Sequence, residues 1–138
     1  MVPIVAGPES EAPVALAAEL AAEHGAVMTV VVVIEIPPQL PLEAHMLEEE
    51  AEASRLLEHA RAIGEARGVR VRPRTLRARE AGEEIVAEAE RVRADLVVLR
   101  AARKPRVGRL AHVFGKTVGY VLKNAPCRVL VTAPPPRA

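Results

Sequence analysis

The sequence predicts an α/β fold: a five-stranded parallel sheet with helices on both faces. Three observations carry this. Five short aliphatic runs, rich in β-branched residues and each of strand length, recur along the 138 residues. The stretches between them place apolar residues at helical spacing. Strands and helices that alternate in this way, joined by right-handed crossovers, lie side by side as parallel strands. The length suits one domain over residues 1–138, and no internal repeat divides it.

Val2 to Val5 reads as a short buried strand ended by Gly7 and Pro8. Ser10 is a good N-cap for a helix over 11–24, with Glu9 and Glu11 at its positive end and Gly25 as its stop. Val14, Ala17, Ala18 and Ala21 give that helix an inward stripe of small side chains. Residues 27–34 form an unbroken run centred on Val31 and Val33, the pattern of a central strand covered on both faces. Pro37, Pro38 and Pro41 then impose an extended connector. A long helix is expected over 43–67, ended by Gly68, with an acidic start at Glu48, Glu49, Glu50 and Glu52.

Residues 69–76 alternate valine with Arg70, Arg72 and Arg74 and contain Pro73, which marks an edge strand guarded against mispairing. A helix over 82–93 turns Ile85, Val86, Ala89 and Val92 inward. Residues 96–99 are a buried fourth strand. A basic loop over 100–109 leads to a helix over 116–124, broken by Pro126, and residues 128–132 are the fifth strand.

Composition narrows the function classes. Half the residues are hydrophobic, yet Phe114 and Tyr120 are the only aromatic ones, so the core must be aliphatic. No apolar run approaches the roughly 18 residues of a membrane span, and the start lacks the basic and apolar regions of a signal peptide. The lone Cys127 cannot form an internal disulfide, which fits a reducing, cytoplasmic setting. Residues 1–99 hold all 18 acids against ten arginines, a net −8, whereas residues 100–138 hold nine Lys or Arg and no acid. The partition is either a property of the chain order, interleaved by folding, or a basic surface.

The C-terminal block from Gly115-Lys116-Thr117 through Asn124-Ala125-Pro126-Cys127-Arg128-Val129-Leu130-Val131 resembles the universal stress protein family. That family typically has Gly, Ser or Thr, a helix and Ala-Pro-Cys-Pro-Val-Leu-Val. Gly7 after the first strand, Gly68-Val69 and Ala94-Asp95-Leu96-Val97-Val98-Leu99 fit the same template, so the resemblance covers essentially the whole chain. It implies strand order 3-2-1-4-5 and a ligand crevice at the carboxyl ends of the first and fourth strands, where a doubly wound sheet places its site on general grounds. One branch of the family binds ATP through an Asp after strand one and a Gly-x2-Gly-x9-Gly-Ser/Thr signature. Here the Asp position is Ala6, the first two glycines are Ala102 and Pro105, and the hydroxyl position is Lys116, with Thr117 one step late. Proline offers no N–H to a phosphate.

Four of five signature places are therefore lost, while Arg100, Arg103, Lys104, Arg106, Arg109 and Lys116 cluster where the family holds the triphosphate. Guanidinium and ammonium groups there either replace the missing amides as anion ligands or form a solvated loop. The candidate ligand or anion-binding set is Gly7, Val33, Arg103, Lys104, Gly115, Lys116 and Thr117. The proline-rich connector is similar to that of stress-protein domains appended to amino-acid permeases, which implies a membrane-transporter partner and a place at the inner membrane face.

Other apparent motifs fail. Gly115-Lys116-Thr117 lacks the upstream glycine of a P-loop, since Leu110 stands there. His24, His45, His59 and His112 have no metal spacing, and no Ser–His–Asp set assembles from Ser10, Ser54 and Asp95. Stacking aromatics for nucleic acid are absent.

Three readings stay open. The first is a non-catalytic regulatory or binding module with a degenerate nucleotide site and no certain cofactor. The second is a binder of adenine nucleotide or phosphate that uses the basic loop. The third is a weak ATPase. A homodimer is expected through the apolar edge strand Arg128, Val129, Leu130, Val131 and Thr132, which lacks the proline and multiple arginines of the opposite edge.

Overall fold

Eight consecutive residues from Met28 to Glu35 form the central strand of a three-stranded ladder. Both of its faces are buried, with Val30, Val31, Val32 and Val33 each at 0% exposure. β-branched side chains suit that setting, because their restricted rotamers pack well on a pleated surface covered from both sides. The computed structural model describes residues 1–5, 13–101 and 115–132. The element order is β1 (Val2–Val5), α1 (Val14–His24), β2 (Met28–Glu35), α2 (Leu47–Ala66), β3 (Val71–Ala78), α3 (Ala81–Arg91), β4 (Leu96–Arg100), α4 (Lys116–Asn124) and β5 (Arg128–Thr132).

Every strand pairing is parallel, as expected. β2 lies between β1 and β3, and β4 pairs with β5 in register Leu96↔Arg128 through Arg100↔Thr132. The single continuous sheet is modified in one detail: the order is β1-β2-β3 in one ladder and β4-β5 in another. The two ladders meet at Met1, whose N–H donates to the Leu96 carbonyl at 2.8 Å and whose carbonyl accepts the Val98 N–H at 2.9 Å. That is the bonding pattern of a parallel pair. The next donor along β1 would be residue 3, which is Pro3 and has no N–H. The 3-2-1-4-5 neighbour relations therefore hold, with β1 and β4 joined at a seam rather than along a full ladder.

Side-chain alternation sorts the core into two faces. Val30, Val32 and Ile34 pack with Val14, Ala17, Ala18 and Ala21 of α1 and Ala53 and Ala60 of α2. Val31 and Val33 pack on the other face with Ile85, Val86 and Ala89 of α3, Val97 and Leu99 of β4, and Val118 and Val121 of α4. Apolar contact on this second face spans the seam. β3 pairs only with β2 among the described residues, and most of its first five residues are exposed, as its arginines require of an edge.

Several boundaries move for identifiable reasons. α1 starts at Val14, not at 11, with Pro13 in the N-cap position and no side-chain cap; Ser10 lies outside the described residues. Gly25 ends α1 as expected, at φ 60°, a left-handed conformation that costs a Cβ-bearing residue about 1 kcal/mol or more. α2 begins at Leu47, four residues later than the acidic pattern suggests. The reason lies across the fold: Arg77 donates to the Ala44 carbonyl and Arg79 donates to the Pro37 carbonyl at 2.5 Å, which holds the connector off the helix. β3 is shifted two residues along and α3 starts at Ala81.

Candidate functional site

The crevice at the carboxyl ends of β1 and β4 is bordered by Val5, Arg100 and the start of α4, with the ends of β2 and the start of α3 beside it. Of the sequence-predicted residues, Gly7, Arg103 and Lys104 lie outside the described residues, as do Ala6, Ala102, Pro105, Arg106 and Arg109. Val33 is fully buried, packed in the core face under α3 and α4. Gly115, Lys116 and Thr117 come together at the N-terminus of α4. Gly115 has φ 84° and ψ 167°, backbone that a side chain would strain, so glycine here serves the turn into the helix. α4 has no side-chain cap and no acidic residue in its first turn. The first amides of a helix lack intrahelical acceptors and carry its positive dipole end, which favours an anion.

Lys116 does not wait there as a free cation. Its Nζ lies 3.0 Å from Glu80 Oε1 and 2.9 Å from Glu80 Oε2. The hydrogen bond that Lys116 donates to Glu80, then the Glu80 charge, then the more distant Glu35 and Glu83 charges, raise the Lys116 pKa above its ordinary value. Glu35, at the end of β2, accepts the Ala81 N–H through Oε2 at 2.9 Å and so caps α3 from across the sheet. The site thus brings two helix N-termini together and meets them with carboxylates. Sequence reasoning missed Glu35 and Glu80. Neither sits in a motif, and the signal that could have found them is a lone acid at the end of a valine strand and another just before a helix start.

The remaining candidates behave as ordinary structure. Cys127 is half-buried and burial pushes its thiol pKa up, away from a reactive thiolate. No group of three His, Cys, Asp or Glu among the described residues could hold a metal ion, and none of the described helices is long and apolar enough to cross a membrane. A cavity of about 770 Å³ opens at the opposite end of the sheet, lined by Val2, Leu20, Val27, Val92 and Arg128. Its walls are the amino ends of the strands and the C-terminal ends of α1 and α3, so it is not the crevice where two helix N-termini converge.

A family model described as the universal stress protein family matches residues 1–133. The chain belongs to the universal stress protein family. Solved stress proteins share its fold. A universal stress protein from Archaeoglobus fulgidus superposes with a TM-score of 0.69 at 24% identity, covering 95% of this chain and 97% of that one. A structure of the Archaeoglobus fulgidus protein in complex with dAMP gives 0.65 at 23% identity, with 95% and 96% covered. A universal stress protein family member from Burkholderia pseudomallei gives 0.64 at 24% identity, with 94% and 93% covered. No curated protein sequence matches the chain.

Proposed function

We propose that this stress-protein domain is a non-catalytic regulatory module whose carboxyl-end crevice holds adenine nucleotide only weakly. One observation carries the reading: the lysine that stands in the family's hydroxyl position is already paired with Glu80 at 2.9–3.0 Å. A triphosphate approaching α4 must share Lys116 with that carboxylate and meet the Glu35 and Glu83 charges as well. Each charge-assisted hydrogen bond that fails to form forfeits about 1.5–3 kcal/mol, so the loss of several weakens binding by orders of magnitude. The carboxylates nearest the crevice are engaged, Glu80 by Lys116 and Glu35 by the Ala81 N–H, which supports binding over hydrolysis. Adenine nucleotides are the ligands to test, because stress proteins of this fold were solved with dAMP, with cAMP and, in Arabidopsis thaliana, with AMP.

Calorimetry with ATP, AMP and cyclic AMP tests the reading. The expected result is ATP affinity far weaker than low-micromolar. Glu80→Gln, which removes the competing charge while keeping the shape, is expected to tighten binding of the phosphate-bearing ligands several-fold. Low-micromolar ATP affinity in the unaltered chain, or turnover of ATP, overturns the proposal.

A second reading concerns assembly. β5 pairs only with β4 among the described residues, and Leu130 at its centre is 37% exposed. A free apolar edge is commonly covered by an isologous copy, which favours a homodimer through Arg128–Thr132.

A further inference from the structure

The cavity of about 770 Å³ at the amino ends of the strands has no part in the nucleotide reading, and its volume falls within the roughly 300–1,000 Å³ of small-molecule sites. It curves around the end of the sheet. Val2 and Val98 belong to the core face that carries α1, and Ala17, Leu20 and Ala21 of α1 wall that side. Thr29 alternates with Val30 and so shares the other face with Val31, and Arg72 lies beside it in register. Val27 and Val92 also line the cavity, at 41% and 37% exposure; Val92, expected inward from the sequence, borders this opening instead.

The charges of the lining are out of balance. Arg72, Arg93 and Arg128 all border the cavity, and none of the three has a side-chain hydrogen-bond or ion-pair partner among the described residues. Asp95 is the one acid among the described lining residues. The C-terminal ends of α1 and α3 add about half a negative charge each, so roughly one positive charge stays uncompensated. His24 does not add to it, because its Nδ1 donates to the Leu20 carbonyl at 2.9 Å and so serves the end of α1. Arg93 sharpens the point. It is the only non-glycine residue among those described with a positive φ, 53°, a left-handed conformation that favours glycine. Strained backbone under a side chain with no partner inside the fold points to a role outside it. Arg93 and Arg128 flank the start of β4, since Arg128 pairs in register with Leu96.

We propose that this cavity is a binding site for an amphipathic carboxylate: an aliphatic chain with one anionic head, as in a medium-chain fatty acid. The proposal stands apart from the nucleotide reading and does not depend on it. The walls are aliphatic, with no aromatic ring among the described lining residues to stack on a planar ligand, and a flexible chain can follow a curved cavity. Burial of the chain supplies the affinity. Arg93 and Arg128 select the head, because a guanidinium pairs a carboxylate bidentately. An alcohol of the same length offers them no charge, and a cationic amphiphile meets three arginines that repel it.

Thermal denaturation and calorimetry with decanoate below its micelle concentration test the proposal, with decanol and decyltrimethylammonium as controls. Decanoate is expected to raise Tm by mass action on the native state, and to bind at least tenfold more tightly than either control. Affinity should rise from hexanoate to decanoate as more chain is buried. Arg93→Gly removes the guanidinium where glycine suits the backbone, so that variant is expected to fold at least as well as the unaltered chain. Combined with Arg128→Gln, it should weaken decanoate binding at least tenfold. Equal binding of the three ten-carbon amphiphiles, affinity independent of chain length, no rise in Tm with decanoate, or unchanged affinity in the arginine double variant overturns the site. Binding lost in Lys116→Ala but kept in the double variant places the carboxylate in the carboxyl-end crevice and overturns it too.

Discussion

At the scale of single residues, two helical glycines make opposite statements. Gly64 in α2 is buried, and an added Cβ would fall inside contact distance of Val71 Cγ2 and 3.3 Å from Met28 Cε. Val71 is β-branched and cannot swing away, so Gly64→Ala is expected to destabilise by about 1–3 kcal/mol through overpacking, despite a helix-propensity gain of about 1 kcal/mol. Gly119→Ala meets no such obstacle and is expected to raise stability by up to about 1 kcal/mol. Urea denaturation of both variants checks the pair; equal and same-signed shifts would contradict the close approach of α2 to β3. Neither glycine is distinguishable from the sequence, since each stands mid-helix and only the neighbour decides. Glu88 is a similar case. An acid inside an amphipathic helix reads as a solvated face, yet it is fully buried, with Arg74 Nε 3.3 Å from its Oε2 and Arg91 in contact one turn along. Those guanidiniums offset part of the cost of burying the carboxyl group, whose Oε2 has no hydrogen-bond partner among the described residues.

At the scale of elements, the start of α2 shows why boundaries drift from sequence patterns. The glutamates predict a helix from 43, but the carboxylate that matters is Glu50, which accepts the Met46 N–H at 3.2 Å and pairs with Arg77 at 2.5 Å. That backbone hydrogen bond first, with the Arg77 and His45 charges behind it, lowers the Glu50 pKa from its ordinary 4.5. The sign follows from linkage: a carboxylate whose folded pKa is depressed stabilises fully above its unfolded value and loses that contribution as pH falls through the folded one. The first turn of α2 is therefore expected to fray below about pH 4.5, seen as faster exchange of the Met46 amide by NMR. Glu50→Gln should remove the acid step. An acid step retained in that variant would assign it to another group.

At the scale of the whole molecule, the question is whether the two ladders behave as one body. Among the described residues only the Met1 bonds cross the seam on the backbone, but the face under α3 and α4 gathers Val31 and Val33 from one ladder with Val97 and Leu99 from the other. Ile85 of α3 is fully buried in that cluster. Ile85→Ala is expected to cost about 2–5 kcal/mol. The urea midpoint should fall with an unchanged slope if the ladders unfold together. A reduced slope would show that the β4-β5 part opens separately.

By itself the sequence determined the order of elements, the central place of the valine strand, the arginine-guarded edge at β3, the glycine stop of α1 and the family. The family rests on the resemblance of its motifs; the others rest on local periodicity or on short-range backbone chemistry, which neighbouring residues express without help from the rest of the chain. Only the tertiary structure decided that Lys116 belongs to Glu80, 36 residues away, that Glu35 caps α3, that Glu88 is buried and that α4 turns Leu122 outward. Pro3 stands between the two cases: its missing N–H is plain in the sequence, but its effect required knowing that β4 is the strand beside it. Charges and contacts that act through space depend on which distant residues folding brings together, and no spacing along the chain encodes that separately from the fold itself.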